Sequence, residues 1–266
     1  MDLEKNLIFM HIPKNAGTTL DTILNRIYPS ENIFSIHPVS NNKLNTDEFI
    51  NLKESERKKI RLLKGHIDFG IHKYLEGESG YVTLLRRPEE RIISYYYFVL
   101  SKPNHRLYER VKNENMSLYD FVTKLDEGDI NNAQIREISG LNDTDEVMLA
   151  KALDNIEKHF SFVGLVEKYD ESLILLQQIY GFKMPYYKSL NVTPKRISIE
   201  ELDERTLNAI VEHNKEDIQL YNIIEKKFNQ EFQNLEMKHW KMFKLNLYNY
   251  LYKLYSYGKI QLTNKQ

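Results

Sequence analysis

Short apolar runs alternate with amphipathic stretches along most of the chain, which is the pattern of an α/β protein. The run Leu7 to Met10 ends in a turn-forming segment, after which apolar residues recur at helical spacing from Thr18 to Ile27. A second run, Tyr81 to Leu85, leads through Pro88 into another amphipathic stretch, and proline suits the first turn of a helix. The pattern predicts a strand, a loop and a helix at each of these two places.

The same periodicity predicts further elements between and beyond these two units. Strands are predicted near 32–36 and 161–166, and helices near 47–62, 118–125, 145–159, 169–180, 200–213 and 215–228. Because there is no internal repeat or low-complexity linker, we expect one three-layer α/β domain over residues 1–230, with a helical insertion between its second and third major strands. Residues 231–266 are predicted to add a helical C-terminal tail that packs on the same domain.

Composition narrows the classes of function. Thirty-seven basic residues balance thirty-eight acidic ones, so no global positive field indicates a nucleic acid as partner. The absence of cysteine excludes disulfides, thiolate catalysis and iron–sulfur clusters. The first ten residues lack the pattern of a signal peptide, and the apolar runs are far shorter than the roughly 18 residues of a membrane span. We therefore expect a cytoplasmic protein.

The first loop has the composition of a phosphate or sulfate site. It lies between a predicted strand and a predicted helix and consists of His11, Ile12, Pro13, Lys14, Asn15, Ala16, Gly17, Thr18 and Thr19. Free backbone N–H groups, a helix dipole, a cation and hydroxyl groups all favour an anion there. The order differs from the nucleoside-triphosphate loop, because Lys14 precedes the loop's one glycine by three residues. The alternative is a loop that only forms a turn, with Thr18 as a helix cap.

A second candidate anion site follows the second strand. Arg86 and Arg87 end that strand, and Ser94 lies about two helical turns further on, so an arginine and a hydroxyl can converge on a phosphate. Two anion sites at two strand ends indicate a nucleotide with phosphates at both ends. The alternative is surface ion pairing of the arginines with Glu89 and Glu90.

Together these segments resemble the sulfotransferases that use 3′-phosphoadenosine 5′-phosphosulfate (PAPS), in particular the branch of heparan sulfate 2-O- and 6-O-sulfotransferases and their bacterial relatives. The matched segments extend over residues 7–228. The resemblance implies a P-loop-like parallel sheet flanked by helices. It also implies transfer of a sulfuryl group from PAPS to an acceptor hydroxyl, for which we favour a carbohydrate, with adenosine 3′,5′-bisphosphate as product and no metal required.

The resemblance also implies roles for individual residues. The positions that match the donor-binding residues of the family are Lys14, Asn15, Ala16, Gly17, Thr18, Thr19, Arg86, Ser94, Asn191 and Thr193. Lys14 would also stabilise the leaving phosphate, and His66, in the pair Gly65–His66, matches the catalytic base. A helix on the acceptor side is matched by Asn132, Gln134, Arg136 and Gly140.

Three positions depart from the family pattern. Arg87 stands where Asp or Asn is usual, Asn15 stands where Thr is frequent, and Lys64 stands where the 2-O-sulfotransferases have a second histidine. Two other function classes stay open: a P-loop small-molecule kinase, which would need Mg²⁺ and ATP, and a non-catalytic nucleotide-binding protein.

The C-terminal tail contains a basic amphipathic pattern over residues 238–256. Its apolar stripe consists of Trp240, Phe243, Leu247, Leu251 and Leu254, and its lysines are Lys238, Lys241, Lys244, Lys253 and Lys259. We expect the stripe to pack on the protein's own helices. The alternatives are contact with an anionic membrane, with an acidic glycan or with a partner subunit, including a second copy of the chain.

Overall fold

A computed structural model describes residues 5–40, 43–67, 69–125, 127–188 and 196–263. The strands are β1 (Asn6–Met10), β2 (Ile33–Ile36), β3 (Pro38–Ser40), β4 (Lys43–Leu44), β5 (Leu62–Gly65), β6 (Ser79–Leu85) and β7 (Phe160–Leu165). The α-helices are α1 (Gly17–Ile27), α2 (Thr46–Ile50), α3 (Glu54–Arg57), α4 (Pro88–Leu100), α5 (Tyr108–Asn113), α6 (Leu118–Lys124), α7 (Ala133–Ser139), α8 (Asp145–His159), α9 (Tyr169–Tyr180), α10 (Glu204–His213), α11 (Lys215–Asn234) and α12 (Lys238–Thr263).

Five parallel strands form the central sheet in the order β2-β5-β1-β6-β7. Strand β1 lies in the middle, with Ile8 opposite Leu63 of β5 and Tyr81 of β6. After β1 the chain crosses to β2 at one edge of the sheet, and after β6 it crosses to β7 at the other edge. Because the two connections run in opposite directions, a crevice opens between the carboxyl ends of β1 and β6. The prediction of an α/β fold with a parallel sheet between helices is confirmed, and the candidate residues Lys14, His66 and Arg86 all follow strand ends at this edge.

One central strand was missed by the prediction of a single helix at 47–62. That segment contains the short helices α2 and α3, and its last residue begins β5. Leu62 and Leu63 have no solvent-exposed surface, because β5 lies between β1 and β2. A two-residue apolar run beside many charges carries a weak strand signal, yet it suffices for a short strand covered on both faces.

The helical insertion between β6 and β7 builds a second apolar core beside the sheet. Its helices α5 and α6 pack with α4 and with α10, which comes from beyond β7. Tyr95 is buried there, and Tyr96 and Tyr97 are half-buried. These tyrosines therefore belong to the packed wall that α4 presents next to the strand ends.

Helix α12 packs on α9 through one side only. Leu245 is fully buried there, whereas the predicted apolar stripe lies on the opposite side of α12 and is exposed. The expectation that this stripe packs on the protein's own helices is wrong, because Leu245 and its neighbours on the same side already fill that contact. Among the described helices, none combines the length and the apolar character that crossing a membrane requires.

Candidate active site

The loop after β1 is held in an unusual backbone conformation. Lys14 and Ala16 have positive φ angles of 71° and 55°, which cost non-glycine residues about 1 kcal/mol each. Ala16 caps helix α1 without any side-chain cap, so the first N–H groups of the helix are available to a ligand. At Gly17, a Cβ atom would lie 2.0 Å from Cδ2 of His11, so only glycine lets the loop close around that ring.

A buried polar bracket, formed by Asn15, Gln134 and Asp217, joins this loop to the loop after β6. The Asn15 Nδ2 donates to the Leu84 carbonyl (2.7 Å) and to Oε1 of Gln134 (2.8 Å). The same Oε1 accepts the Arg86 N–H at 2.9 Å, and Gln134 Nε2 donates to the Arg86 carbonyl at 2.9 Å. The amide nitrogens of Asn15 and Gln134 thus donate their hydrogen bonds inside the protein, so a bound anion would contact Asn15 only through its backbone N–H.

The carboxylate of Asp217, which lies on α11, holds the bracket in place at the start of α7. Its oxygens accept the backbone N–H groups of Gln134 (3.0 Å) and Ile135 (2.8 Å) at the start of α7. Asn132, which precedes α7, is 2% exposed and accepts the Asp217 N–H at 3.0 Å. Sequence reasoning assigned Asn132 and Gln134 to the acceptor side, whereas both are core residues. It missed Asp217, whose partners lie more than 80 residues away.

Lys14, Arg86 and Arg196 form a cation cluster that is adjacent to the bracket. The Lys14 Nζ sits 3.9 Å from the centroid of the Phe98 ring and makes no ion pair with the described residues. Burial, followed by the charges of Arg86, Arg91, Lys102 and Arg196, lowers the pKa of Lys14 to about 8. An anion bound beside Lys14 would relieve this repulsion, so the cluster has the electrostatics of an anion-binding site.

One carboxylate, that of Glu90, faces the other two cations of the cluster. Its Oε2 lies 3.0 Å from Arg86 and 2.6 Å from Arg196. The Arg86 Nε is buried and has no hydrogen-bond partner among the described residues. Ser94 is buried and lies four residues after Glu90, and hence on the same face of α4. The convergence of Arg86 and Ser94 on one phosphate stays a prediction.

His66 follows β5 and stacks on His11, with ring centroids 4.9 Å apart and an 18° angle between the planes. Burial lowers the pKa of His66, although a hydrogen bond with the backbone of His11 opposes the shift. Burial and then the neighbouring His66 lower the pKa of His11 to about 4. Both rings are therefore neutral at pH 7. Because the hydrogen bond to His11 favours the protonated ring, His66 donates it and keeps its second nitrogen free to accept a proton.

The wall next to Lys14 contains polar and aromatic residues that sequence reasoning did not find. Asp129 accepts hydrogen bonds from the Tyr95 hydroxyl (3.1 Å) and Arg106 (2.8 Å). The His105 ring meets both Tyr95 and Phe98 edge-on, with centroids 5.7 Å apart. The Asp129 carboxylate raises the pKa of His66 and of His105, and Lys14 lowers the pKa of His105, although burial lowers both histidine pKa values more. Asp129, Arg106 and His105 belong to the helical insertion, in segments that contain no recognisable sequence motif.

The remaining predicted residues differ in their placement. Thr18 is exposed at the start of α1, whereas Thr19 is buried. Asn191 and Thr193, predicted to cover a nucleotide, lie outside the described residues. Arg87 interacts with Tyr221 on α11, away from the cation cluster. No group of three or more His, Asp or Glu residues suited to a metal ion occurs within the described ranges.

Comparisons with known proteins identify the family. The family model described as "Sulfotransferase family" matches residues 1–223, which is most of the chain. Among solved structures, mouse sulfotransferase SULT7A1 complexed with PAP matches with a TM-score of 0.42 at 10% identity, over 90% of this chain and 87% of that chain. No curated protein sequence matches significantly.

Proposed function

Because the chain belongs to the sulfotransferase family, we propose that it transfers the sulfuryl group of PAPS to an acceptor hydroxyl. The family prediction made from the sequence is thereby confirmed. The observation that carries the proposed mechanism is the position of Lys14, which makes no ion pair with the described residues and sits among other cations beside the N-terminus of α1. A donor with an anion at each end would balance the positive charge of this site.

The 5′-phosphosulfate would bind at the loop after β1. Lys14, the backbone N–H groups at the start of α1 and the exposed Thr18 hydroxyl offer it a cation, dipoles and a hydrogen-bond donor. As the S–O bond to the 5′-phosphate breaks, negative charge grows on the bridging oxygen. Lys14 stabilises that charge more in the transition state than in the ground state, which is how a fixed cation accelerates the step.

The 3′-phosphate would bind between Arg86 and Ser94. The buried Arg86 Nε has no partner among the described residues, so it is free to donate to a phosphate oxygen. Glu90 occupies the neighbouring guanidinium nitrogen and would have to yield to the phosphate or share Arg86 with it. We further propose that Asn191 and Thr193 cover the nucleotide, in line with the family resemblance.

His66 would act as the general base. The acceptor oxygen forms a bond to sulfur, its proton passes to the free ring nitrogen of His66, and adenosine 3′,5′-bisphosphate leaves. The neutral ring supports this role, since a protonated imidazole could not take the proton. His11 acts as a positioning residue, because its ring stacks on His66 and its backbone bonds to it.

We propose a carbohydrate as the acceptor. The wall next to Lys14 combines the half-buried ring of Phe98 with the partly exposed charged groups of Arg106 and Asp129. Aromatic faces suit the C–H surface of a sugar, and fixed donors and acceptors suit its hydroxyls.

Calorimetry on the purified protein tests the donor site. We expect adenosine 3′,5′-bisphosphate to bind at least tenfold more tightly than adenosine 5′-monophosphate or Mg²⁺-ATP. Equal binding of the monophosphate would contradict the 3′-phosphate site, and a preference for Mg²⁺-ATP would favour a kinase instead. Transfer from labelled PAPS to a panel of glycans tests the reaction. His66→Ala should abolish transfer while leaving nucleotide binding intact, whereas the control His239→Ala on the exposed start of α12 should leave both unchanged.

A further inference from the structure

Helix α12 exposes an apolar outer face, defined by Trp240, Phe243, Leu247, Leu251 and Leu254. These side chains are between 43% and 58% exposed. They recur every three or four residues, so they line one side of the helix over about 21 Å. The opposite side, centred on Leu245, packs on α9. The outer face is thus a continuous apolar strip turned away from the protein.

The packed side fixes the direction in which the outer face points. Asn249 Oδ1 accepts the backbone N–H of Tyr187 at 2.7 Å, and the ring of Tyr252 meets the ring of Tyr186 edge-on with centroids 5.0 Å apart. The guanidinium of Arg26 lies over both of these rings. Because polar and aromatic contacts hold α12 to the body, its outer face is presented without any need for the helix to detach.

The charge of α12 selects the kind of partner. Its residues 238–263 include five lysines, Lys238, Lys241, Lys244, Lys253 and Lys259, and neither Asp nor Glu. At 100° per residue, the exposed Lys244 lies about 60° and the exposed Lys253 about 120° from the centre of the outer face, on opposite sides of it. Lysines beside an apolar strip complement a surface that is negatively charged at its boundary with water and apolar beneath, as an anionic membrane is.

We propose that α12 docks the protein on the surface of an anionic lipid membrane, with the helix axis in the membrane plane and the outer face among the acyl chains. Trp240 and the neighbouring tyrosines, such as Tyr250, suit the headgroup boundary. A second copy of the chain fits less well, because two such helices would bring their lysines together without a carboxylate from either helix. An acidic glycan would leave the leucines in water.

The protein carries its own probe, since Trp240 is the single tryptophan and lies on the outer face. With the full-length protein, we expect vesicles of phosphatidylcholine and phosphatidylglycerol (7:3) to shift the fluorescence of Trp240 to shorter wavelength and to protect it from acrylamide. Pure phosphatidylcholine vesicles should bind at least tenfold more weakly, and raising the salt concentration should weaken binding to the anionic vesicles. Absence of a shift with anionic vesicles would overturn the proposal.

Paired variants distinguish docking through the outer face from non-specific hydrophobic binding. Leu247→Glu with Leu251→Glu should reduce vesicle partitioning at least tenfold, since two charges would enter the outer face. The matched control, Val147→Glu with Ile223→Glu, changes two exposed apolar residues on α8 and α11 and should bind like the wild type. Equal loss in both pairs would overturn the proposal. Sedimentation that shows a dimer burying Trp240 without lipid, or tighter binding to heparin than to vesicles, would also overturn it.

Discussion

The bracket and the cation cluster are adjacent polar regions that differ in how far the protein itself supplies partners for their polar groups and charges. In the bracket, Gln134 and Asp217 exchange hydrogen bonds with defined partners in the protein interior. In the cluster, Lys14 rests on an aromatic ring among other cations, and Arg86 keeps a buried nitrogen without a partner among the described residues. In the bracket, the amide nitrogens and the Asp217 carboxylate all have partners in the protein, and only the Asn15 Oδ1 is buried without one among the described residues. In the cluster, a bound anion would balance the positive charge. Changes in the bracket should therefore affect folding, and changes in the cluster should affect turnover and binding.

The sharpest separation is expected at Lys14. Lys14→Met should lower kcat for sulfuryl transfer about 10³-fold, because a cation beside the leaving oxygen is lost. The melting temperature should not fall, and we expect a rise of about 2 °C, because a half-buried charge surrounded by like charges is removed. Steady-state kinetics and thermal unfolding measure both, with the exposed Lys112→Met as control. A marked loss of stability would show that Lys14 belongs functionally with the bracket.

Gln134→Leu should give the reverse result. The substitution leaves the Asn15 amide and the Arg86 N–H without their shared acceptor, at a cost of about 3 kcal/mol in the free energy of unfolding. Urea unfolding measures this cost, and the exposed Gln233→Leu on α11 serves as control. If stability were unchanged while turnover fell, the comparison between the two regions would be wrong.

A smaller effect is expected at Glu90, the carboxylate that faces the cluster. Glu90→Gln removes the charge that competes with the 3′-phosphate for Arg86 and Arg196. We expect adenosine 3′,5′-bisphosphate to bind about tenfold more tightly, while adenosine 5′-monophosphate binds as before. Calorimetry with both nucleotides provides the measurement, and Glu89→Gln is the control. Weaker binding of the bisphosphate would mean that Glu90 orients Arg86 rather than competing for it.

The smallest predicted effect is a pH dependence of nucleotide affinity. In the protein without nucleotide, the pKa of Lys14 is about 8. A bound anion raises this pKa, so the charged form of Lys14 is favoured in the complex. As the pH rises from 8 to 9, free Lys14 loses its proton, and affinity for adenosine 3′,5′-bisphosphate should fall about fivefold. In Lys14→Arg, which stays charged, this fall should disappear. A fall of the same size in the arginine variant would assign the titration to another group.

The predictable parts of the molecule are those whose signal is local. The loop from His11 to Thr19 and the step from Arg86 to Pro88 each join a strand to a helix, as composition and spacing predicted. The two anion sites assigned to these loops stay predictions. Asp217 and Asp129 could not be found this way, because their roles depend on partners that the topology brings from distant parts of the chain. Strand β5 was hidden by its brevity.

The C-terminal helix illustrates a related limit. Its periodicity predicted which residues share a side of the helix, and that grouping is correct. It could not predict which side meets the body, because Leu245 and Leu247 are equally apolar and differ only in what lies opposite them. The choice depends on α9 and on Tyr187, whose positions a single sequence does not define.

The shared oxygen of Gln134 has a consequence for molecular selection. Because one side chain ties the backbone after β6 to the loop after β1, the separation between Lys14 and Arg86 is set by the protein's interior. In the proposed donor complex, this fixed separation would have to match the distance between the two anionic ends of the nucleotide. We therefore expect an isomer that carries the second phosphate on the 2′ oxygen to bind more weakly, because its anionic ends are separated by a different distance.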